Sequence, residues 1–275
     1  MSVAGEPKID CHTHVLDPAR FPYSRDIDYK PSGQEIGTAQ QLHAVMKTYG
    51  VRHCLLVQPN SGYGSDNSCL LDAIAHGDGR FKGIAIIGFD ANNAALRDLK
   101  RQGIVGAAFN PTFHRNDYYR NSARLIGKLA EHDMVLNLQC ELNQIEMFVP
   151  WIEATPIRVL IDHCGRPTVD AGVQQAGFKA LLRLAATGRV NVKLSGYSKF
   201  SRTGYPFEDC RAYVRAIVDA FTLDHCLWAS DWPFLRAPER QDYGPLVQLV
   251  EVLFPDAADR RKLFWETPRR QLGFA

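Results

Sequence analysis

The sequence predicts an α/β fold, a (β/α)8 TIM barrel in a single domain spanning residues 1–275, on three observations. Short runs rich in Val, Ile and Leu alternate with segments whose apolar residues recur at helical spacing, and the alternation repeats eight times. Several runs are nearly continuous in apolar residues, as parallel strands covered on both faces must be. The 275 residues match the about 250 of this architecture, and no Pro/Gly/Ser linker or low-complexity tract divides them. The rival, a doubly wound open sheet, loses its main support because no GxGxxG follows the first strand.

In order, the predicted strands are Lys8–Val15, His53–Pro59, Phe81–Gly88, Gly103–Asn110, Met134–Cys140, Arg158–Gly165, Arg189–Gly196 and His225–Pro233. Between them, Leu42, Val45, Met46 and Tyr49 share one helical face, as do Leu125, Leu129 and Ala130. Further helices are predicted over Cys69–Ala75, Ala94–Arg101, Phe178–Ala186, Ala212–Phe221 and Gly244–Leu253. Two connections are long, Leu16–Thr38 and Tyr197–Glu208; both follow carboxyl ends of strands, where barrel enzymes place their chemistry.

Charge nearly cancels, with 32 Lys+Arg against 30 Asp+Glu, and this balance excludes a strongly basic nucleic-acid domain. The longest apolar runs, Leu55–Val57 and Ile84–Ile87, fall far short of the ~18 residues that span a bilayer, so no membrane association is expected. Met1–Asp10 lacks the apolar stretch of a secretory signal. Seven scattered cysteines form no CxxC and lie in or beside apolar stretches, which reads as inert thiols in a reduced, cytoplasmic enzyme.

The chemistry-bearing residues end predicted strands. His12 and His14 are two apart on the first, so both imidazoles leave the same face. Alone this is weak, because nine histidines in 275 residues give roughly 0.3 such pairs by chance. His163 ends the sixth strand and Asp231 the eighth. Each alone also admits a bland reading, His163 as a satisfied carbonyl partner and Asp231 as a helix cap. Four such groups ending three strands at one rim fit a barrel catalyst.

His12-Thr13-His14, Asp162-His163-Cys164-Gly165-Arg166-Pro167 and Trp228-Ala229-Ser230-Asp231-Trp232-Pro233 resemble the amidohydrolase superfamily. The branch most similar is that of 2-pyrone-4,6-dicarboxylate lactonase and the sugar-lactone and sulfomuconolactone hydrolases. FPYSRDIDYKP in the first loop, Gly64–Asn67 and Lys193–Gly196 also resemble that branch. The likeness runs along essentially the whole chain. It implies a hydrolase that opens the lactone of a small anionic substrate in aromatic or sugar-acid catabolism. Asp231 would activate water, and His12, His14 and His163 would stabilise the oxyanion. The resemblance also implies substrate contacts from Tyr29, Arg166 and Lys199, with Asn110 and Gln139 at the ends of strands four and five.

Two departures from the family pattern matter. Metal-dependent members carry a third histidine at strand five, where this chain has Gln139, and binuclear members a carboxylated Lys or a Glu at strand four, where it has Asn110. His12, His14 and Asp231 would still make a minimal site for one zinc or other divalent ion, but the expectation is that none is required. The arginine preceding strand four's Phe-Asn is replaced by Ala108, with His114 and Arg115 just downstream. Losing that fork removes one carboxylate anchor, so one anionic group on the substrate is expected more than two. The alternatives are a metal-dependent decarboxylase and an inactive binding barrel. A serine-hydrolase route lacks its G-x-S-x-G, and Cys164 on a strand would point away from His163. Oligomeric state is not legible.

Overall fold

The computed structural model describes residues 3–275. Eight strands follow in order: β1 Lys8–Thr13, β2 Val51–Val57, β3 Phe81–Ala85, β4 Ile104–Phe109, β5 Val135–Leu138, β6 Arg158–Ile161, β7 Val190–Leu194 and β8 Cys226–Trp228. They hydrogen-bond side by side in chain order in one sheet. The helices are α1 Ala39–Tyr49, α2 Ser68–Ala75, α3 Asn93–Arg101, α4 Pro111–His114, α5 Ala123–Glu131, α6 Val149–Ala154, α7 Ala176–Arg183, α8 Arg211–Phe221, α9 Tyr243–Leu253, α10 Ala257–Arg261 and α11 Thr267–Leu272. This is the (β/α)8 barrel that the alternation predicts. Among the described residues no helix is long and apolar enough to cross a membrane. All seven cysteines are buried free thiols.

Several predicted strands are too long at their carboxyl ends. β1 stops at Thr13, β6 at Ile161 and β8 at Trp228. The next residues are buried, and some are apolar, so they read like strand, but their backbone turns. His163, Cys164 and Asp231 lie at φ of 51°, 56° and 65°, in the left-handed region. The inference that Cys164 points away from His163 across a strand therefore fails: both occupy a tight turn after β6. The alternation of a pleat does not apply there.

Contacts group the chain into two compact units, Met1–Ile86 with Leu99–Val105 and Trp228–Ala275, and Ile87–Asp98 with Gly106–Leu227. In the first, Thr38 opens α1 with a capping box. Its hydroxyl accepts from Gln41 N at 3.2 Å while Gln41 Oε1 accepts from Thr38 N at 2.9 Å. Gly50, at φ 70°, ends the helix where a side chain would be strained. α1 thereby buries Leu42 and Met46. β1 is buried along its whole length, and its pairing with β2 shifts register between Lys8 and Ile9 and again between Asp10 and Thr13. Its carboxyl end joins the segment after β8: Thr13 bridges Trp232 in parallel, His14 N donates to Trp232 O at 2.8 Å, and Asp231 N to His12 O at 3.0 Å.

In the second unit, β4 to β7 register Phe109 beside Leu138, Leu138 beside Ile161, and Ile161 beside Val192. Asn110, Gln139 and Asp162 therefore leave their strands at one level. Below them lies a buried network. Lys193 Nζ stands 2.8 Å from Asp162 Oδ1 and donates to Asn137 Oδ1 at 2.6 Å, while Asn137 Nδ2 donates to Asp162 Oδ2 at 2.7 Å. The charge pair is thus hydrogen-bonded on both sides, which a buried ion pair requires to be tolerated.

Lys8 is fully buried at the amino end of β1, its ammonium donating to Glu6 O at 2.6 Å, Tyr49 O at 3.1 Å and Ala4 O at 3.2 Å. Burial lowers its pKa to about 8, with Glu6 pulling weakly the other way. Between that value and the ordinary 10.5 the unfolded chain binds more protons than the folded one, so stability attributable to this group rises with pH through that window. In urea unfolding from pH 7 to 10.5, the gap between wild type and Lys8→Met should move in favour of wild type by up to about 3 kcal/mol. A gap that does not change with pH would contradict this account of Lys8.

Candidate active site

In the first unit His12, His14 and Asp231 converge. The two imidazoles meet edge to face, with centroids 4.9 Å apart and planes at 83°. Asp231 Oδ1 lies 3.8 Å from His12 Nε2 and 3.6 Å from His14 Nε2. One ligating atom from each lies within 4.8 Å of the others, and all three residues are buried. An oxygen just off the plane of three such atoms is within hydrogen-bond reach of each.

The tautomer of His14 sets the character of this cluster. Its Nδ1 lies 2.7 Å from the carbonyl oxygen of Val57, which can only accept, so Nδ1 carries the proton. In the neutral ring Nε2 then presents a lone pair towards the Asp231 carboxylate. Two acceptors facing at that distance call for a donor or a cation between them: a water, a proton on Nε2, or a divalent ion. The donor set of two imidazole nitrogens and one carboxylate oxygen, with the far nitrogen of His14 held by a carbonyl, fits one divalent ion.

A buried carboxylate, Asp10, supports the cluster. Oδ1 accepts from His12 N at 3.2 Å and Ser230 N at 2.9 Å, and Oδ2 from the Tyr243 hydroxyl at 2.8 Å. Burial pushes its pKa up to about 6, against the pull of these same hydrogen bonds. In the first long loop, the Tyr29 hydroxyl donates to Glu35 Oε1, which also accepts from Arg236 N at 2.7 Å. The Arg236 guanidinium lies 4.0 Å over the Tyr29 ring. Burial and the Glu35 carboxylate push the phenol up to about 12, so it remains a donor at neutral pH.

The second unit holds the other residues singled out in the sequence. His163 is buried in the turn after β6, with Nδ1 3.0 Å from Ser195 Oγ. Arg166, at φ 42°, pairs Nη2 with Glu141 Oε2 at 3.1 Å, and its buried Nε meets no hydrogen-bond partner among the described residues. With Lys199 it lines a cavity of about 190 Å³ that also takes in Thr168, Phe200 and Arg202. Asn110 caps α4, its Oδ1 accepting from Thr112 Oγ1 at 2.6 Å and Phe113 N at 3.2 Å. Gln139 Nε2 donates to the same threonine hydroxyl at 3.1 Å. Both amides are thus engaged locally through Thr112. His114 stacks on Tyr118, with centroids 4.2 Å apart.

Asp10, Glu35, Glu141, Thr112 and Ser195 escaped the sequence reading as supporting groups. Asp10 had a signal, since it shares the period-two row of His12 and His14. Glu35 and Glu141 had none, because their partners are set by loop geometry. The non-glycine residues in left-handed backbone include Asp231, His163, Cys164 and Arg166. Such strain tends to gather at functional sites, where surrounding structure holds it in place.

Gly196 passes behind His163 at φ 60°, and a Cβ there would lie 2.5 Å from the imidazole Cγ and Nδ1. Gly196→Ala should therefore destabilise the protein by about 1–3 kcal/mol in urea unfolding. A crystal structure of the variant should show the ring moved off Ser195; an unmoved ring and unchanged stability would refute the contact.

The family model described as Amidohydrolase matches residues 9–274. A 4-sulfomuconolactone hydrolase of Rhizobium radiobacter is 33% identical over 272 residues, covering 96% of this chain and 89% of the relative. A 2-pyrone-4,6-dicarboxylate hydrolase of Comamonas testosteroni is 28% identical over 278 residues, covering 95% and 88%. An Acinetobacter baumannii crystal structure, described as a candidate 2-pyrone-4,6-dicarboxylic acid hydrolase with citric acid bound, superposes with a TM-score of 0.86. It is 22% identical and covers 97% of this chain and 99% of its own. With the match running over nearly the whole barrel, the chain belongs to the amidohydrolase family.

Proposed function

We propose that this protein is a hydrolase that opens the lactone ring of a small anionic substrate, in the breakdown of aromatic or sugar acids. The carrying observation is the facing of Asp231 Oδ1 and the two Nε2 atoms of His12 and His14. Similarity over 96% of the chain to a lactone hydrolase supports the reaction class.

In this reading the Asp231 carboxylate takes a proton from a water as its oxygen attacks the ester carbonyl. The new C–O bond makes a tetrahedral oxyanion. His12 and His163 donate hydrogen bonds to it, and His14, whose Nδ1 proton is held by Val57 O, does so with Nε2 also protonated, each such donor contributing typically 10²–10³-fold. Collapse breaks the ring C–O bond, and the proton on Asp231 passes to the departing alkoxide or enolate, leaving a hydroxyl and a carboxylic acid that releases its proton to solvent as the carboxylate. Arg166 and Lys199 hold the substrate's anionic group, and the unpartnered Nε leaves the Arg166 fork capacity for it beside Glu141. Tyr29, its proton on Glu35, adds a substrate contact through its ring and hydroxyl oxygen. Asn110 and Gln139 shape the wall through Thr112, with their remaining amide atoms towards substrate.

His12, His14 and Asp231 are the residues that would hold a divalent ion, which when bound supplies Lewis-acid polarisation of the carbonyl. Our reading requires none, on the amides at positions 110 and 139, where metal-dependent members of the family carry further ligands.

Asp231→Asn keeps the shape and removes the base. It should lower kcat by about 10²–10⁴-fold on sulfomuconolactone, pyrone-dicarboxylate or sugar-lactone substrates, followed by proton release. Turnover within tenfold of wild type would end the role given to Asp231. Arg166→Gln with Lys199→Gln should instead raise KM, with kcat changing less. Activity should survive chelation with metal content measured in parallel; loss on chelation and recovery on adding zinc would reverse the metal reading.

A further inference from the structure

The first unit holds another cavity, of about 730 Å³, lined by His43, Met46, Lys47, Arg52, His53 and Arg80 among others. It opens at the amino ends of the strands: Val51 begins β2 and Arg80 immediately precedes β3. β1 and β2 are parallel, and His14 follows the carboxyl end of β1, so this cavity lies at the other end of the sheet from the cluster of His12, His14 and Asp231.

Its chemistry is one-sided. Three lining side chains carry permanent positive charge, two more are imidazoles, and no carboxylate lines it. Among the described residues, Lys47, Arg52 and Arg80 enter no ion pair, whereas Arg20, Arg158 and Arg260 in this chain each engage a carboxylate. The imidazoles feel the same field. Burial and then the Arg80 guanidinium lower the His43 pKa, with Asp78 a smaller opposing pull. Burial also lowers that of His53, against a hydrogen bond to the Gly79 backbone, with Lys82, Arg269 and Arg80 adding to the lowering. The His53 ring is held flat against Phe274, with centroids 4.9 Å apart, and its buried Nδ1 has no hydrogen-bond partner among the described residues. His43 lies against Phe81 at 4.9 Å.

Unpaired cations on a convex surface are merely solvated. On a concave wall their fields add, and an anion there relieves their mutual repulsion. The volume falls within the 300–1,000 Å³ range of small-molecule sites. We propose that this cavity binds a compact, multiply charged anion, a phosphate- or carboxylate-bearing small molecule, with Lys47, Arg52 and Arg80 as anchors. The reaction proposed above makes no use of it, and it stands or falls separately.

Calorimetric titration at constant ionic strength tests it, with inorganic tripolyphosphate and citrate as separate probes. Arg52 and Arg80 are exposed, so exchanging them leaves the core intact. Wild type should show a saturable site for at least one probe. Arg52→Gln with Arg80→Gln should weaken it by about tenfold or more, while Arg166→Gln with Lys199→Gln leaves it within about twofold. Preference between the probes separates phosphate from carboxylate recognition. Heats that only track ionic strength, binding unchanged in the Arg52/Arg80 variant, or binding lost in the Arg166/Lys199 variant would each overturn the proposal.

Discussion

One buried carboxylate organises the His–His–Asp cluster. Asp10 accepts hydrogen bonds from the backbone of His12 and Ser230, and thereby ties β1 to the segment just after β8. The Tyr243 hydroxyl holds its other oxygen. A carboxylate out of water is costly, and the raised pKa of Asp10 records that cost. What it secures is position: with His12 N and Ser230 N held on one oxygen, His12 and Asp231 cannot drift apart. The left-handed backbone of Asp231 is sustained by the same framework.

Both units place polar groups by spacing residues two apart on a strand. In β1 the row is Lys8, Asp10 and His12; in β7 it is Asn191 and Lys193, with Ser195 just beyond. Interior polar rows are destabilising unless their groups find complements, and several here do. Lys8 meets three carbonyls, Lys193 meets Asp162 and Asn137, and Ser195 meets His163. Rigidity around the imidazoles comes from these satisfied neighbours as much as from apolar packing.

Charge is apportioned with similar care. The net charge is only +2, yet cations gather where a cavity concentrates them, at Arg166 and Lys199 and again at Lys47, Arg52 and Arg80. The Arg166 pairing with Glu141 shows a guanidinium held ready by a neighbouring acid. At the second cavity no such acid lines the wall.

The strand–helix alternation and the apolar strands were determined by the sequence alone, because these are local patterns that chain geometry turns directly into faces and elements; His12 and His14 do meet, but His14 lies beyond the end of β1, outside the pleat that the spacing assumes. The ends of β1, β6 and β8 were not legible. A buried turn and a buried strand share one composition, and only the left-handed backbone at His163, Cys164 and Asp231 tells them apart. Nor could the sequence reveal that Glu35 would bind Tyr29, that Glu141 would bind Arg166, or that Asn110 and Gln139 would share Thr112. Tyr29 and Glu35 meet through the irregular backbone of one loop, whereas Glu141 with Arg166 and Gln139 with Thr112 join segments 25 or more residues apart, whose distances are decided by how the strands register and the helices pack.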